Sequence, residues 1–261
     1  MPSQRAAALI SLFCFICGGA VMLVAFHGPG AGWWDYATGL DVLAPGAALG
    51  VLGTAAGALW LVRALRRNDS AGWKLGVLGL AGALAVAFVP LNQARLYLMS
   101  PPIHDISTDP EFPPLFVSLL PLRDGARNGP DYDGARTVDY DGKRQTVAAV
   151  QKKAYPDIRP YYALLAPQKG ETARPKDVLF WRAFERAKDI GLNIVAYNQH
   201  DGTIEATHES FWFGQTADVA IRVKPAGRIG ARADIRAKSR NGDNDMGETA
   251  QIVRDYLKAL R

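Results

Sequence analysis

The sequence predicts an α+β protein: three transmembrane helices, then a domain with a four-stranded antiparallel sheet packed against two helices. Three observations lead there. Three apolar stretches fill the first hundred residues, each close to the ~20 residues that cross ~30 Å of hydrocarbon. The remainder is polar. Within it, apolar residues recur at helical spacing in two segments and alternate in the strand-like segments between them. The expected division is a three-helix anchor at residues 1–100 and an extracytoplasmic α+β domain at residues 101–261.

The spans are expected at residues 6–26, 42–62 and 73–91. His27, Gly28 and Pro29 offer no small-x-small cleavage site, and two further spans follow, so the first reads as retained rather than as a signal peptide. Cys14 and Cys17 form C-x-x-C inside the first span. No polar, electropositive setting is there to hold a thiolate, so the pair reads as apolar filler. The second half then has no cysteine for a disulfide. Gly46 and Gly50, Gly53 and Gly57, and Gly72 and Gly76 are spaced for close helix approach. That spacing fits a compact bundle, dimerisation through the second span, or ordinary small-residue membrane sequence.

Loop charge orients the anchor. Residues 63–74 carry Arg63, Arg66, Arg67 and Lys74, whereas residues 27–40 carry no Lys or Arg. The amino terminus and second loop are therefore expected in the cytoplasm, with the carboxyl-terminal domain on the outer face of the inner (cytoplasmic) membrane. Trp33, Trp34 and Tyr36 suit an interfacial belt on that face. Six of the 30 Lys+Arg and three of the 25 acids precede Pro101, leaving the outer domain nearly neutral. No basic stripe with interleaved aromatics is present, which excludes a nucleic-acid partner.

The outer domain opens with a proline-rich extended segment, Pro101 to Pro114. Residues 123–144 read as a loop. Asp131, Asp133, Asp139 and Asp141 there lack EF-hand spacing and read as solvated turn residues rather than calcium ligands. A helix is expected at 176–190, between Pro175 and Gly191, followed by strands at 192–197, 203–209, 218–224 and 232–238. A last helix is expected at 246–260, opened by a capping-box-like Asp245 to Glu248. Setting Ile221 opposite Ile235 puts Val219, Ile221, Val223, Ala233, Ile235 and Ala237 on one face. The same register pairs Arg222 with Asp234 and Asp218 with Lys238 on the outer face. His208 alternates with Ile204 and Ala206 and is expected to point inward.

The runs PPIHDISTDPEFPP, YPDIRP and DVAIRV…DIRAKSRNGDNDMGETAQIVRDYL resemble the DUF1499 family over residues 101–260. The three-helix anchor is similar to that of its bacterial members. The resemblance implies kinship and brings no particular chemistry. It points to His104, Asp105, Thr108, Asp109, Tyr155, Pro156, Asp157, Arg222, Asp234, Arg236, Ser239, Arg240, Asp245 and Gly247. The chain departs from the pattern at Ala217, beside Asp218, and at Ala237.

Three groups are candidate sites. His104, Asp105, Asp109, Tyr155 and Asp157 could act as metal ligands or acid/base groups, yet no second histidine stands at ligand spacing. The favoured reading has Asp105 and Asp109 holding the extended segment through backbone N–H groups. Arg222, Asp234, Arg236, Ser239, Arg240 and Asp245 form either an anion site or a structural charge ladder. Phe211, Trp212 and Phe213 could meet membrane, ligand or partner, or pack inward. No cofactor motif or resident metal is expected. The leading expectation is a non-enzymatic, membrane-anchored accessory or binding domain engaging a protein partner, or an envelope lipid or other apolar ligand. A hydrolase or metal-dependent enzyme using the His104 group, and a structural subunit of a membrane complex, are the alternatives.

Overall fold

The computed structural model describes residues 4–34, 36–67, 72–165, 174–210 and 214–261. The chain forms two compact units: a helical one up to Leu96, and a second comprising Tyr97–Ser210 and Gln215–Arg261.

The helical unit contains α1 (Gln4–Gly30), α2 (Tyr36–Arg67) and most of α3 (Trp73–Met99). All three helices are long and apolar enough to cross a membrane. Glycines bring them together. A Cβ at Gly53 would lie 2.7 Å from that of Cys14 and 2.9 Å from that of Ala83, and one at Gly50 would lie 2.7 Å from the Ala87 nitrogen. Ser11 donates to the Gly53 carbonyl at 2.8 Å, a polar link from α1 to α2. The small-residue face at Gly50 and Gly53 thus serves contacts within the chain, and buried Cys14 packs there as apolar filler.

Among the described residues, the main sheet of the second unit has six strands where four were expected. They are β1 (Asp105–Ser107), β4 (Tyr161–Leu164), β5 (Asn193–Asn198), β6 (Thr203–Glu209), β7 (Thr216–Pro225) and β8 (Gly230–Ser239). The order is β1-β8-β7-β6-β5, all antiparallel, with β4 also on β8. β8 is long enough for β1 to pair with residues 236–238 and β4 with residues 230–233. The outer edge of β1 is closed by Gln151, whose amide bonds the N–H and C=O of Ser107 at 3.0 and 2.7 Å. Gln151 belongs to α4 (Val147–Ala154), a helix the sequence reading missed.

The stretch read as a loop contains a hairpin, β2 (Thr137–Tyr140) and β3 (Lys143–Thr146). Asp141 and Gly142 turn it with φ of 52° and 68°, the two positive values a type I′ turn requires.

The register of β7 on β8 is the expected one: Ile221 faces Ile235, Arg222 faces Asp234 and Asp218 faces Lys238. The apolar face is covered by α5 (Pro175–Asp189) and α6 (Glu248–Leu260). Leu179, Phe180 and Ala183 from α5 interlock with Val253, Tyr256 and Leu260 from α6 over Val219, Ile221 and Ile235. Asp245 caps α6, accepting from the N–H groups of Gly247 and Thr249, both at 2.9 Å. The Glu248 carboxylate does not complete a capping box; it lies 3.8 Å from the ring of half-buried His208.

The opposite face is covered, because residues 108–132 run across it as a strap. Asp218, Asp234, Arg236 and Lys238 are all buried beneath.

Candidate functional site

Prolines at 110, 113 and 114 keep the first part of the strap extended, ahead of a short 3-10 turn at Leu120–Arg123, so its backbone groups need other partners. Charged side chains of the sheet supply them. Glu205 projects from the face of β6 opposite to Ile204 and Ala206. It accepts from three successive N–H groups, those of Val117, Ser118 and Leu119, at 2.9, 2.9 and 3.0 Å. Phe116 and Leu119 turn inward and close on Ala220 of β7.

Three ion clusters fill the layer between strap and sheet. In the first, Asp105 accepts two parallel bonds from Arg236, both 2.8 Å, and a third from the Asp133 N–H at 3.0 Å. Arg236 lies over the Phe116 ring at 4.4 Å and donates to the Pro130 carbonyl at 2.9 Å. Lys238 reaches Asp133 at 3.1 Å and the Asp131 carbonyl at 2.6 Å, and His104 meets Asp133 at 2.9 Å. Burial opposes ionisation of Asp133, but the His104 hydrogen bond and the Lys238 charge override it and bring the carboxyl down to about 2.

In the second cluster, Arg222 and Arg232 share Asp109 and Asp234: Arg232 is 2.6 Å from Asp109, and Arg222 is 3.1 Å from Asp234. Asp109 also accepts the Phe112 N–H at 3.0 Å, an Asx-type turn. In the third, Asp218 lies between Arg240, at 2.8 Å, and Arg123, which bonds it directly. Burial lowers the pKa of Arg123, partly offset by Asp218.

The first predicted group is therefore divided. His104, Asp105 and Asp109 lie in this layer with different partners. Asp157 instead forms a two-bond pair, both 2.7 Å, with Arg254 of α6 at the surface. Tyr155 packs under Arg254 at 5.0 Å, and burial with nearby Asp245 pushes its hydroxyl up to about 12. Of the second group, Arg222, Asp234, Arg236 and Arg240 join the layer, Ser239 donates to the Asn241 carbonyl at 2.8 Å, and Asp245 caps α6. Phe211, Trp212 and Phe213 lie outside the described residues. Among the described residues, no group of three or more His, Cys, Asp or Glu side chains is placed to hold a metal ion.

A family model described as Protein of unknown function (DUF1499) matches residues 105–260. The chain belongs to this family. A search of curated proteins finds no match. The DUF1499 match runs from the first residue of β1 to the last of α6, so it takes in strap, charge layer and apolar core together.

Sequence reasoning missed Glu205, Arg123 and Arg232 in this layer; it put Lys238 and Asp218 on the right face without naming them as site residues, and it read Asp133, which meets His104 and Lys238, as a solvated turn residue. Alternation was the available signal, since Glu205 sits between two apolar strand residues. Every carboxylate of the layer is engaged by a cation or by backbone N–H groups. On the strap, Phe112, Leu115 and Val117 are 69%, 69% and 65% exposed, and Leu120 and Leu122 are also exposed. Residues 112–122 contain no charged side chain. A cavity of about 370 Å³ opens beside Leu115 and Val117.

Proposed function

We propose that the chain is a membrane-tethered binding domain, held on the outer side of the cytoplasmic membrane, that engages a lipid or other apolar ligand through the strap at residues 112–122. The observation that carries this reading is the contrast across the strap. Its backbone N–H groups are held by Glu205 and its inner side chains pack on Ala220, while five large apolar side chains face outward with no charge among them. Exposed apolar surface costs roughly 25 cal/mol per Å² relative to burial, so a contiguous run of it marks an interaction surface. In sequence, residue 112 follows the last of the three membrane-capable helices by 13 residues.

Hydrolytic or metal chemistry has less support, because His104, Asp105, Asp109 and Asp157 are bonded to separate partners. A subunit held by its glycine face has less support as well, since Gly50 and Gly53 pack within the chain. The test is a photo-crosslinking amino acid at position 115 of the full chain in native membranes. Adducts of lipid-like mass are expected; adducts only to protein, or none, contradict the reading.

A further inference from the structure

We propose that the cavity beside the strap takes a single-chain amphiphile with an amine or hydroxyl head, its chain on Leu115 and Val117 and its head at Asp201, Ser118 and Thr203. This rests on the strap being an apolar contact surface and adds the chemistry of what it holds. At about 370 Å³, the space lies within the ~300–1,000 Å³ of small-molecule sites. One wall is the strap and the other is the turn joining β5 to β6, with Glu205 and Arg222 also lining it.

The lining decides the head group by elimination. Both oxygens of Glu205 are occupied by the N–H groups of residues 117–119. The two terminal nitrogens of Arg222 are occupied by Asp109, Asp234 and the carbonyls of Phe112 and Pro113, and its Nε, which has no hydrogen-bond partner, is buried away from the surface. The cavity's one cation is thus already neutralised, and an anionic head would meet two carboxylates instead. The hydroxyls of Ser118 and Thr203 have no hydrogen-bond partner among the described residues. Asp201 bonds the Asn198 amide at 2.6 Å through one oxygen and leaves the other for a donor. Those free groups suit an ammonium or an alcohol, and the exposed Leu115 and Val117 suit its hydrocarbon chain.

The experiment uses the full chain in phosphatidylcholine nanodiscs with three diazirine-labelled alkyl probes of equal length, ending in amine, alcohol or carboxylate. Adducts are mapped by peptide mass spectrometry. The amine and alcohol are expected to label residues 114–118 and 198–203 several-fold more than the carboxylate. Asp201→Asn, in an exposed turn, is expected to lower amine labelling several-fold and leave alcohol labelling unchanged. Ser118→Trp, which fills the cavity, is expected to remove both. Equal labelling by the carboxylate, or amine labelling indifferent to Asp201→Asn, overturns the head-group assignment while leaving the strap reading intact. Absence of strap labelling by all three probes overturns both.

Discussion

Arg236 holds Asp105 through two parallel hydrogen bonds of 2.8 Å, and neither side chain reaches solvent. The pair joins the first strand of the domain to β8, its neighbour in the sheet. An ion pair this deep is weak evidence of net stabilisation, because removing both charges from water costs several kcal/mol. Its value is geometric, since the planar fork of Arg236 fixes where the strap begins.

Removing one partner should be far more damaging than the pair's net worth. Asp105→Asn leaves Arg236 and Lys238 buried beside a neutral amide, and a loss of roughly 3–5 kcal/mol is expected in denaturant unfolding of the full chain in micelles. Asp157→Asn breaks an exposed pair and should cost under about 1 kcal/mol. Similar losses at the two positions would show that the Asp105 layer is not what fixes the strap.

Glu205→Gln replaces a carboxylate that receives three N–H groups with a single amide oxygen. Hydrogen bonds to charged acceptors contribute about 1.5–3 kcal/mol each, so a loss of about 2 kcal/mol or more is expected. Hydrogen exchange at residues 117–119 should accelerate while that of β7 changes little. Unchanged protection of the strap would contradict the role given to Glu205.

The stability of the domain should carry two opposite pH signatures. Burial, with repulsion from Asp245, pushes the Glu248 carboxyl up to about 7. The folded state then holds more protons than the unfolded chain between about pH 4.5 and 7, so this group's contribution falls as pH rises and levels off above about 7. Burial of adjacent His208 lowers its pKa and works in the other sense, and Asp245 and Asp255 also bear on the pair. Comparison with Glu248→Gln isolates the Glu248 part: the variant should gain on wild type up to pH 7 and keep a constant lead beyond. Asp133, held down to about 2, gives stability that is lost as pH falls from about 4 to about 2. A Glu248→Gln difference that stays flat from pH 4.5 to 7 would refute the first assignment.

The proposed topology rests on Arg63, Arg66, Arg67 and Lys74 at the facing ends of α2 and α3, against no Lys or Arg from residue 27 to residue 40. Alkaline phosphatase fused after Arg261 is expected to be active, and a green fluorescent protein at the same place dark. The reverse pattern would put the domain in the cytoplasm.

Much of this architecture is legible in the sequence where one face is apolar. Val219, Ile221 and Val223 alternate with Asp218, Ala220, Arg222 and Lys224, a pattern that set the strand, its register on Ile235 and the side covered by α5 and α6. β1 and β4 have three and four residues, too short for alternation to show, and each exists only because β8 has a free edge. The β2–β3 hairpin had a signal in Asp141-Gly142, overlooked because acidic residues crowd the segment and read as solvated loop.

The candidate site was half legible for a different reason. Arg222, Asp234 and Arg236 were correctly placed on one face, but charged strand residues ordinarily face water. Nothing local to them shows that residues 108–132 lie on top. Glu205 is the plainest case, because its partners are backbone N–H groups about 86 residues earlier, and no side-chain pattern records them.

The most direct test of the central claim, that the strap's outer face binds while the layer beneath it only supports, is apolar-probe labelling of the Leu115→Ser/Val117→Ser chain in nanodiscs, beside a melting curve of the same sample. Both residues are exposed, so melting should match the unsubstituted chain while labelling of residues 112–122 disappears. Labelling that persists at full strength on the folded double variant would show that the ligand is held elsewhere.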